Sequence, residues 1–298
     1  MMARMKRLPT PTLILMLGVL QAAAWPQTTL KVSVDLVNVL FTVTDRHGRL
    51  VPGLTQADFA VEEDGRKQDI LHFAADNELP LTLAMLIDTS SSVQPVFSAE
   101  KRTAKAFLRS VLRPKDLALV IGFDRTVTLM EDFTNSTRRL GNAIDDLEIG
   151  PGTSLHDAVY LAAREKLRFE AGRKAIILLS DGDDTTSKLG LSEALVAAHQ
   201  TDTVIYSIYN STSRRDGDPG TLRKLSEETG GGVFYIDSDR DFEEIFDQIG
   251  RELRSQYSLG YQSTNTERDG KFRRIKIVPR DGSLRVQARR GYYAARGL

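Results

Sequence analysis

Leu83-Ala84-Met85-Leu86-Ile87-Asp88-Thr89-Ser90-Ser91-Ser92 is the stretch whose reading decides the fold. Its unbroken apolar run predicts a strand buried on both faces, and the Asp-Thr-Ser-Ser-Ser behind it falls where such a strand leaves a parallel sheet. In an extended turn Asp88, Ser90 and Ser92 can point the same way, offering a carboxylate and hydroxyls but no nitrogen or sulfur. Oxygen-only donors suit a hard divalent cation such as Mg²⁺, Mn²⁺ or Ca²⁺. Taken alone, the D-x-S-x-S pattern is equally compatible with a Ser-rich loop capping the next helix.

Working outward, Ala175-Ile176-Ile177-Leu178-Leu179-Ser180-Asp181-Gly182 is a second buried strand ending in an acid, and Gly150-Pro151-Gly152-Thr153 is a tight loop presenting a hydroxyl. The three segments together resemble the metal-ion-dependent adhesion site of von Willebrand factor type A domains. That pattern is D-x-S-x-S, then a Thr after a Gly-rich loop, then an Asp after a hydrophobic strand. The resemblance spans roughly Leu79 to Arg254 and implies the metal ligands Asp88, Ser90, Ser92, Thr153 and Asp181.

The chain has 298 residues, of which 41% are hydrophobic, enough for one full α/β core and a smaller unit. Met1 to Arg7 is basic, Leu13 to Leu20 is apolar, and Ala22-Ala23-Ala24 offers an A-x-A site. This predicts a secretory signal peptide over residues 1–24, too short for a comfortable span, and a mature protein that is periplasmic or secreted with no membrane span. Cysteine is absent, so the core stands without disulfides and the signal is not that of a Cys-lipidated lipoprotein. Forty basic residues balance forty acidic ones, and losing Arg4, Lys6 and Arg7 with the signal leaves the mature chain mildly acidic. That argues against a nucleic-acid partner.

Apolar residues alternate from Leu30 to Val43, Phe59 to Glu62 reads as a short strand, Asp64-Gly65 as a hairpin turn, and Ile70 to Phe73 as the return. After Asp88 the spacing predicts a helix from Val96 to Leu112, then strands Ala118 to Asp124 and Val127 to Phe133. Their junction is too short for a parallel crossover, so the second strand must run antiparallel. Helices Ser136 to Leu147 and Leu155 to Phe169 follow. After Asp181 come helix Leu191 to His199, strand Val204 to Tyr209, helix Leu222 to Glu228, strand Val233 to Ile236 and helix Phe242 to Leu253. The alternation predicts a doubly wound, mostly parallel six-stranded sheet in the order 3-2-1-4-5-6, with the strands ending in Asp88 and Asp181 side by side at the switch point.

The tail turns to strands again at Tyr257 to Gln262, Arg273 to Val278 and Leu284 to Ala288. We therefore expect a β-sandwich built from residues 28–78 and 255–295, with the α/β domain, residues 79–254, inserted between its parts. An exported domain of this kind with these flanks resembles bacterial proteins, acidobacterial ones especially.

Because most of the proposed ligands are neutral, a bound ion keeps positive charge and an open position. In the family this resembles, a Glu or Asp from a partner protein fills it. The expectation is metal-dependent protein binding outside the cytoplasm and no catalysis. The alternatives are a metal-independent scaffold of the cell envelope and a metal-dependent hydrolase. A haloacid-dehalogenase-type enzyme would need a second carboxylate where Ser90 stands. Ser154, His156 and Asp157 sit too close together on one helix start to form a triad. His47, His72, His156 and His199 read as surface or turn residues, and Arg285 to Arg290 as the outer face of a strand.

Overall fold

The computed structural model describes residues 36–75, 79–209, 217–236 and 241–296. The expected signal peptide and the alternation from Leu30 to Val34 lie outside the described residues.

The first described strand, β1 (Leu36–Thr44), alternates exposed and buried residues up to Val39, as a half-buried strand should. A hairpin follows, β2 (Phe59–Glu63) and β3 (Arg66–Gln68), turning through Asp64 and Gly65, both at positive φ. The return strand of this hairpin is therefore β3, not the segment starting at Ile70. That segment, β4 (Ile70–Ala75), crosses over and pairs in a different sheet. The pattern around Asp69 was too short to reveal the crossover.

Next comes β5 (Leu81–Asp88), in which every residue is buried. Its side chains sort by parity: Leu83, Met85 and Ile87 enter one hydrophobic core, Ala84 and Leu86 another on the opposite face. Helix α1 (Phe97–Val111) covers the first face, and β6 (Leu117–Phe123) and β7 (Val127–Thr134) extend the sheet as an antiparallel pair. Asp124 Oδ1 accepts the Thr126 N–H at 2.7 Å, which closes the tight turn between them.

Helix α2 (Thr137–Asp145) is followed by α3 (Leu155–Tyr160), which continues through a wider π turn at Leu161–Lys166 and a 3₁₀ turn at Leu167–Phe169. A single regular helix had been expected there. The extra residue of the wide turn brings Leu167, rather than Lys166, onto the buried face beside Ala162 and Ala163.

The remaining α/β elements are β8 (Arg173–Ser180), α4 (Leu191–Gln200), β9 (Thr203–Tyr209), α5 (Pro219–Thr229), β10 (Val233–Tyr235) and α6 (Asp241–Arg254). The sheet order is β10-β9-β8-β5-β6-β7, parallel except for β7. Counted within this layer, that is 3-2-1-4-5-6, with β5 and β8 adjacent at the reversal of winding.

After α6 come β11 (Tyr257–Gln262), β12 (Phe272–Pro279), β13 (Arg285–Ala288) and β14 (Gly291–Tyr293). They interleave with the N-terminal strands in two antiparallel sheets, β13-β1-β11-β4 and β14-β12-β2-β3. One core joins the two sheets, with Val39, Phe41, Phe59, Val61, Leu259 and Ile277 among its members. Phe41 meets Phe59 edge to face at 5.2 Å, and Phe59 stacks on Phe73 at 5.6 Å. Residues 35–298 form one compact unit that includes both this sandwich and the α/β layer.

Candidate metal centre

Asp88 ends β5 level with Phe123 of β6, and its side chain is fully buried. One carboxylate oxygen, Oδ1, accepts the Ser90 N–H at 2.8 Å, and the other accepts the Ser180 hydroxyl at 2.6 Å. The loop beyond it is pinned on two sides. Thr89 donates its N–H to Phe123 O and accepts from Gly150 N–H at 2.8 Å, while Ser90 and Gly150 form an isolated parallel bridge. So held, the hydroxyls of Ser90 and Ser92 lie 2.9 Å apart, Ser90 buried and Ser92 open to solvent.

Asp181 follows β8 and is 2% exposed. Its backbone is locked by a neighbouring loop: the Asp218 N–H donates to Asp181 O at 2.9 Å. The approach is so close that glycine is required on both sides. A Cβ on Gly182, at φ +86°, would fall 2.2 Å from Asp218 O, and one on Gly217, at φ +82°, would fall 2.2 Å from Asp181 O. Asp181 Oδ1 accepts the Asp183 N–H at 3.1 Å.

Thr153 is 4% exposed. Its N–H donates to Thr185 Oγ1 at 2.9 Å, and its carbonyl accepts from the N–H groups of Thr185 and Thr186. Among the described residues no partner takes its hydroxyl. Among the described residues no hydrogen bond joins Thr153 to Asp88, Ser90, Ser92 or Asp181; its loop reaches Ser90 through the Gly150 bridge.

Burial pushes the Asp88 carboxyl up to about 7; the hydrogen bonds from Ser180 and Ser90 pull the other way, and the charge of Asp181 pushes it further up. Among the described residues no basic side chain pairs with Asp88 or Asp181. A divalent cation suits this setting, since it would supply the missing positive charge to the two carboxylates, with the Ser180 hydroxyl on Asp88 and the Ser90 and Ser92 hydroxyls on the loop beyond it. Among the described residues no group of three or more His, Asp or Glu side chains is placed to hold a metal, so any ion here depends on Ser and Thr oxygens.

Two positioning residues escaped the sequence reading. Ser180 is fully buried, accepts the Gly182 N–H at 3.0 Å and fixes Asp88, and Thr185 orients Thr153. Ser180 carried a signal, since it stands beside the Asp of the strand adjacent to β5.

The triad letters are separately engaged. Ser154 Oγ bonds Arg125 O and Thr186 Oγ1, Asp157 accepts from the N–H groups of Lys188 and Leu189, and His156 Nδ1 pairs with Asp184 Oδ2 at 3.1 Å. His199 and Arg289 correct the sequence reading. Both are buried, His199 against Phe272 and Tyr293, and Arg289 in an ion pair with Asp202. Phe272 opens β12, and Tyr293 comes from β14, a strand that was not expected from the sequence.

Residues 83–183 match the von Willebrand factor type A domain family, and the match contains all five candidate ligands. A curated uncharacterized protein of Borreliella burgdorferi is 22% identical over 204 residues, 59% of each chain, so the alignment spans little more than half of that relative. Among solved structures, a von Willebrand factor type A protein from Catenulispora acidiphila superposes with a TM-score of 0.53 at 15% identity, covering 80% of this chain and 73% of that one. Proximal thread matrix protein 1 from the mussel byssus, with a zinc-occupied MIDAS motif, gives 0.50 at 20% identity over 63% of this chain and 48% of its own. Among the described residues no helix is long and apolar enough to cross a membrane. The α/β layer of this chain has the von Willebrand factor type A fold, with Asp88 and Asp181 at its switch point.

Proposed function

We propose that Asp88, Ser90, Ser92, Thr153 and Asp181 hold a divalent cation, Mg²⁺ or alternatively Mn²⁺ or Ca²⁺, and that through it the chain binds a Glu or Asp carboxylate of a partner protein outside the cytoplasm. The observation that carries this reading is the pair of buried carboxylates, with no basic partner among the described residues, beside the paired hydroxyls of Ser90 and Ser92. An ion held by two carboxylates and neutral hydroxyls keeps Lewis acidity for one more anionic ligand. The chain's own residues supply the rest: Ser180 and the Ser90 amide orient Asp88, and the Thr185 contacts leave the Thr153 hydroxyl available. A zinc-occupied motif in the mussel protein supports a divalent ion. The basic, apolar and Ala-rich N-terminal sequence supports export. The role is binding rather than catalysis, in keeping with Ser154, His156 and Asp157 each serving a loop.

Titration calorimetry with Mg²⁺, Mn²⁺ and Ca²⁺ tests the centre. Asp88→Ala should abolish binding while the fold, read by circular dichroism, persists; unchanged affinity in that variant would sink the assignment. Capture of envelope proteins with and without chelator then separates metal-dependent binding from a metal-independent scaffold.

A further inference from the structure

Thr153 and Asp181 stand on different loops, and the segment that follows Asp181 runs back to the Thr153 loop. Residues 183–189 lie in no helix or strand. Thr185 and Thr186 donate their N–H groups to Thr153 O at 2.9 and 3.0 Å, and Lys188 and Leu189 donate theirs to the two carboxylate oxygens of Asp157 at 3.0 and 2.9 Å. Bonds also run the other way. The His156 and Asp157 N–H groups, in the first turn of α3, donate to Asp184 Oδ1 at 3.2 Å and Ser187 Oγ at 3.1 Å, while the Thr153 N–H donates to Thr185 Oγ1 at 2.9 Å.

Asp157 closes this zip at its far end. A carboxylate accepts at both oxygens, and a charged acceptor makes the stronger bonds. Without that side chain the Lys188 and Leu189 amides lose their acceptor, and a segment with no ladder of its own is left hanging from the Thr153 contacts. The other ligands are held differently: Asp88 and Ser90 share one local turn, and the Asp181 backbone is anchored by Asp218. Since no hydrogen bond joins Thr153 to Asp181 among the described residues, the zipped segment helps fix the distance between them.

On the reading that these residues hold a divalent cation, we propose that Asp157 is a positioning residue that sets the choice of ion, favouring Mg²⁺ over Ca²⁺ by holding Thr153 rigidly against Asp181. Mg²⁺ demands near-ideal octahedral geometry at about 2.0–2.1 Å, whereas Ca²⁺ takes about six to eight oxygens at about 2.3–2.6 Å in flexible arrangements. A loosened loop therefore costs Mg²⁺ more than Ca²⁺. Asp157 acts through the loop and Thr185, with both its oxygens already engaged, and not at the ion itself.

The test titrates Mg²⁺ and Ca²⁺ separately, by calorimetry at pH 7.5, into the full mature chain and its variants. Asp157→Ala should lower Mg²⁺ affinity about tenfold and Ca²⁺ affinity less than about threefold. Asp157→Asn keeps one acceptor oxygen and should fall between. Asp116→Ala weakens the fold at the other end of the sheet and should leave the Mg²⁺ to Ca²⁺ ratio as in the wild type, which separates positioning from stability. Linkage supplies a second readout: Mg²⁺ should slow hydrogen exchange across residues 183–190 in the wild type and slow it less in Asp157→Ala. No divalent-ion binding by the wild type would remove the metal centre and this role with it. Wild-type Mg²⁺ binding, with an unchanged Mg²⁺ to Ca²⁺ ratio in both Asp157 variants, would leave the centre standing and overturn the role of Asp157 alone.

Discussion

At the carboxyl ends of β5 and β8 two buried carboxylates face hydroxyls and amides, and among the described residues no basic side chain pairs with either. At the amino ends of the same sheet, buried Asp116 meets Arg254 and the N–H groups of Leu81 and Arg113, and buried Arg173 meets the carbonyls of Leu253 and Leu79. Burial works against the charge of Asp116, yet Arg254 and the two amides hold its carboxyl below the usual range, while Asp88 sits well above it. Charge balanced by its neighbours marks a joint, and charge left unbalanced marks a place for something else. Glu63 sharpens the rule. It is buried in the sandwich and no cation pairs with it among the described residues, but Tyr261, Tyr292 and Ser263 all donate to it, so it needs no ion.

The largest effect expected from breaking the joint end comes from removing the chain after Ser255. β1 then loses both neighbours, β4 loses β11 and β2 loses β12. Val39, Phe41 and Val61 would be exposed, and the product should aggregate or be cut by protease between Leu36 and Ala75, as mapped by mass spectrometry. A smaller break is Asp116→Ala, which strands Arg254 and two amides. It should cost about 3–5 kcal/mol in urea unfolding and leave divalent-ion affinity unchanged.

Those contrasts bear on what the sequence revealed. The sheet order was legible because β5 and β8 are long apolar runs ending in acids, and the Arg125-Thr126 junction forced β7 to reverse. The D-x-S-x-S spacing named Asp88 and Ser90 because one local turn holds both. The joint was not legible, since it is made by partners far apart in sequence: Arg254 with Asp116, Arg289 with Asp202, and His199 with Phe272. Arg289 looked like one more strand-face arginine because nothing local announced Asp202. Strands β3 and β14, three residues each, carry too little periodicity to detect.

Acidity separates the two ends by sign. Asp88 rises from 3.8 to about 7 on folding, so without metal the folded state binds the extra proton and its stability falls as pH rises from about 4 to about 7. His199 drops from 6.5 to about 4 through burial and the nearby Arg289, so its contribution is present above pH 6.5 and is lost as pH falls towards 4. The two slopes oppose each other, and the metal-free protein should show a shallow pH dependence across the shared window. Asp88→Asn should unmask the loss on acidification, and His199→Phe the loss on raising pH, both followed by denaturant midpoints. Parallel slopes in the two variants would break the contrast.

The smallest effect sought is at Ser180, which no ligand pattern names. Its hydroxyl donates to Asp88 Oδ2 and accepts from Gly182, so it both orients the carboxylate and stabilises its charge. Ser180→Ala removes that donor inside a site that already disfavours ionisation, and the Asp88 carboxyl should rise by roughly one further unit. A cation must then displace a more tightly held proton, so affinity at pH 7 should fall about fivefold and the pH midpoint of binding should move up with it. Thr153→Ala takes away a neutral hydroxyl instead; it should weaken binding without moving that midpoint. Calorimetric titrations of Mg²⁺ between pH 6 and 8.5 distinguish them. If Ser180→Ala lowers affinity equally at every pH, the serine only places Asp88, and the unbalanced charge at this end is set by burial and Asp181 alone.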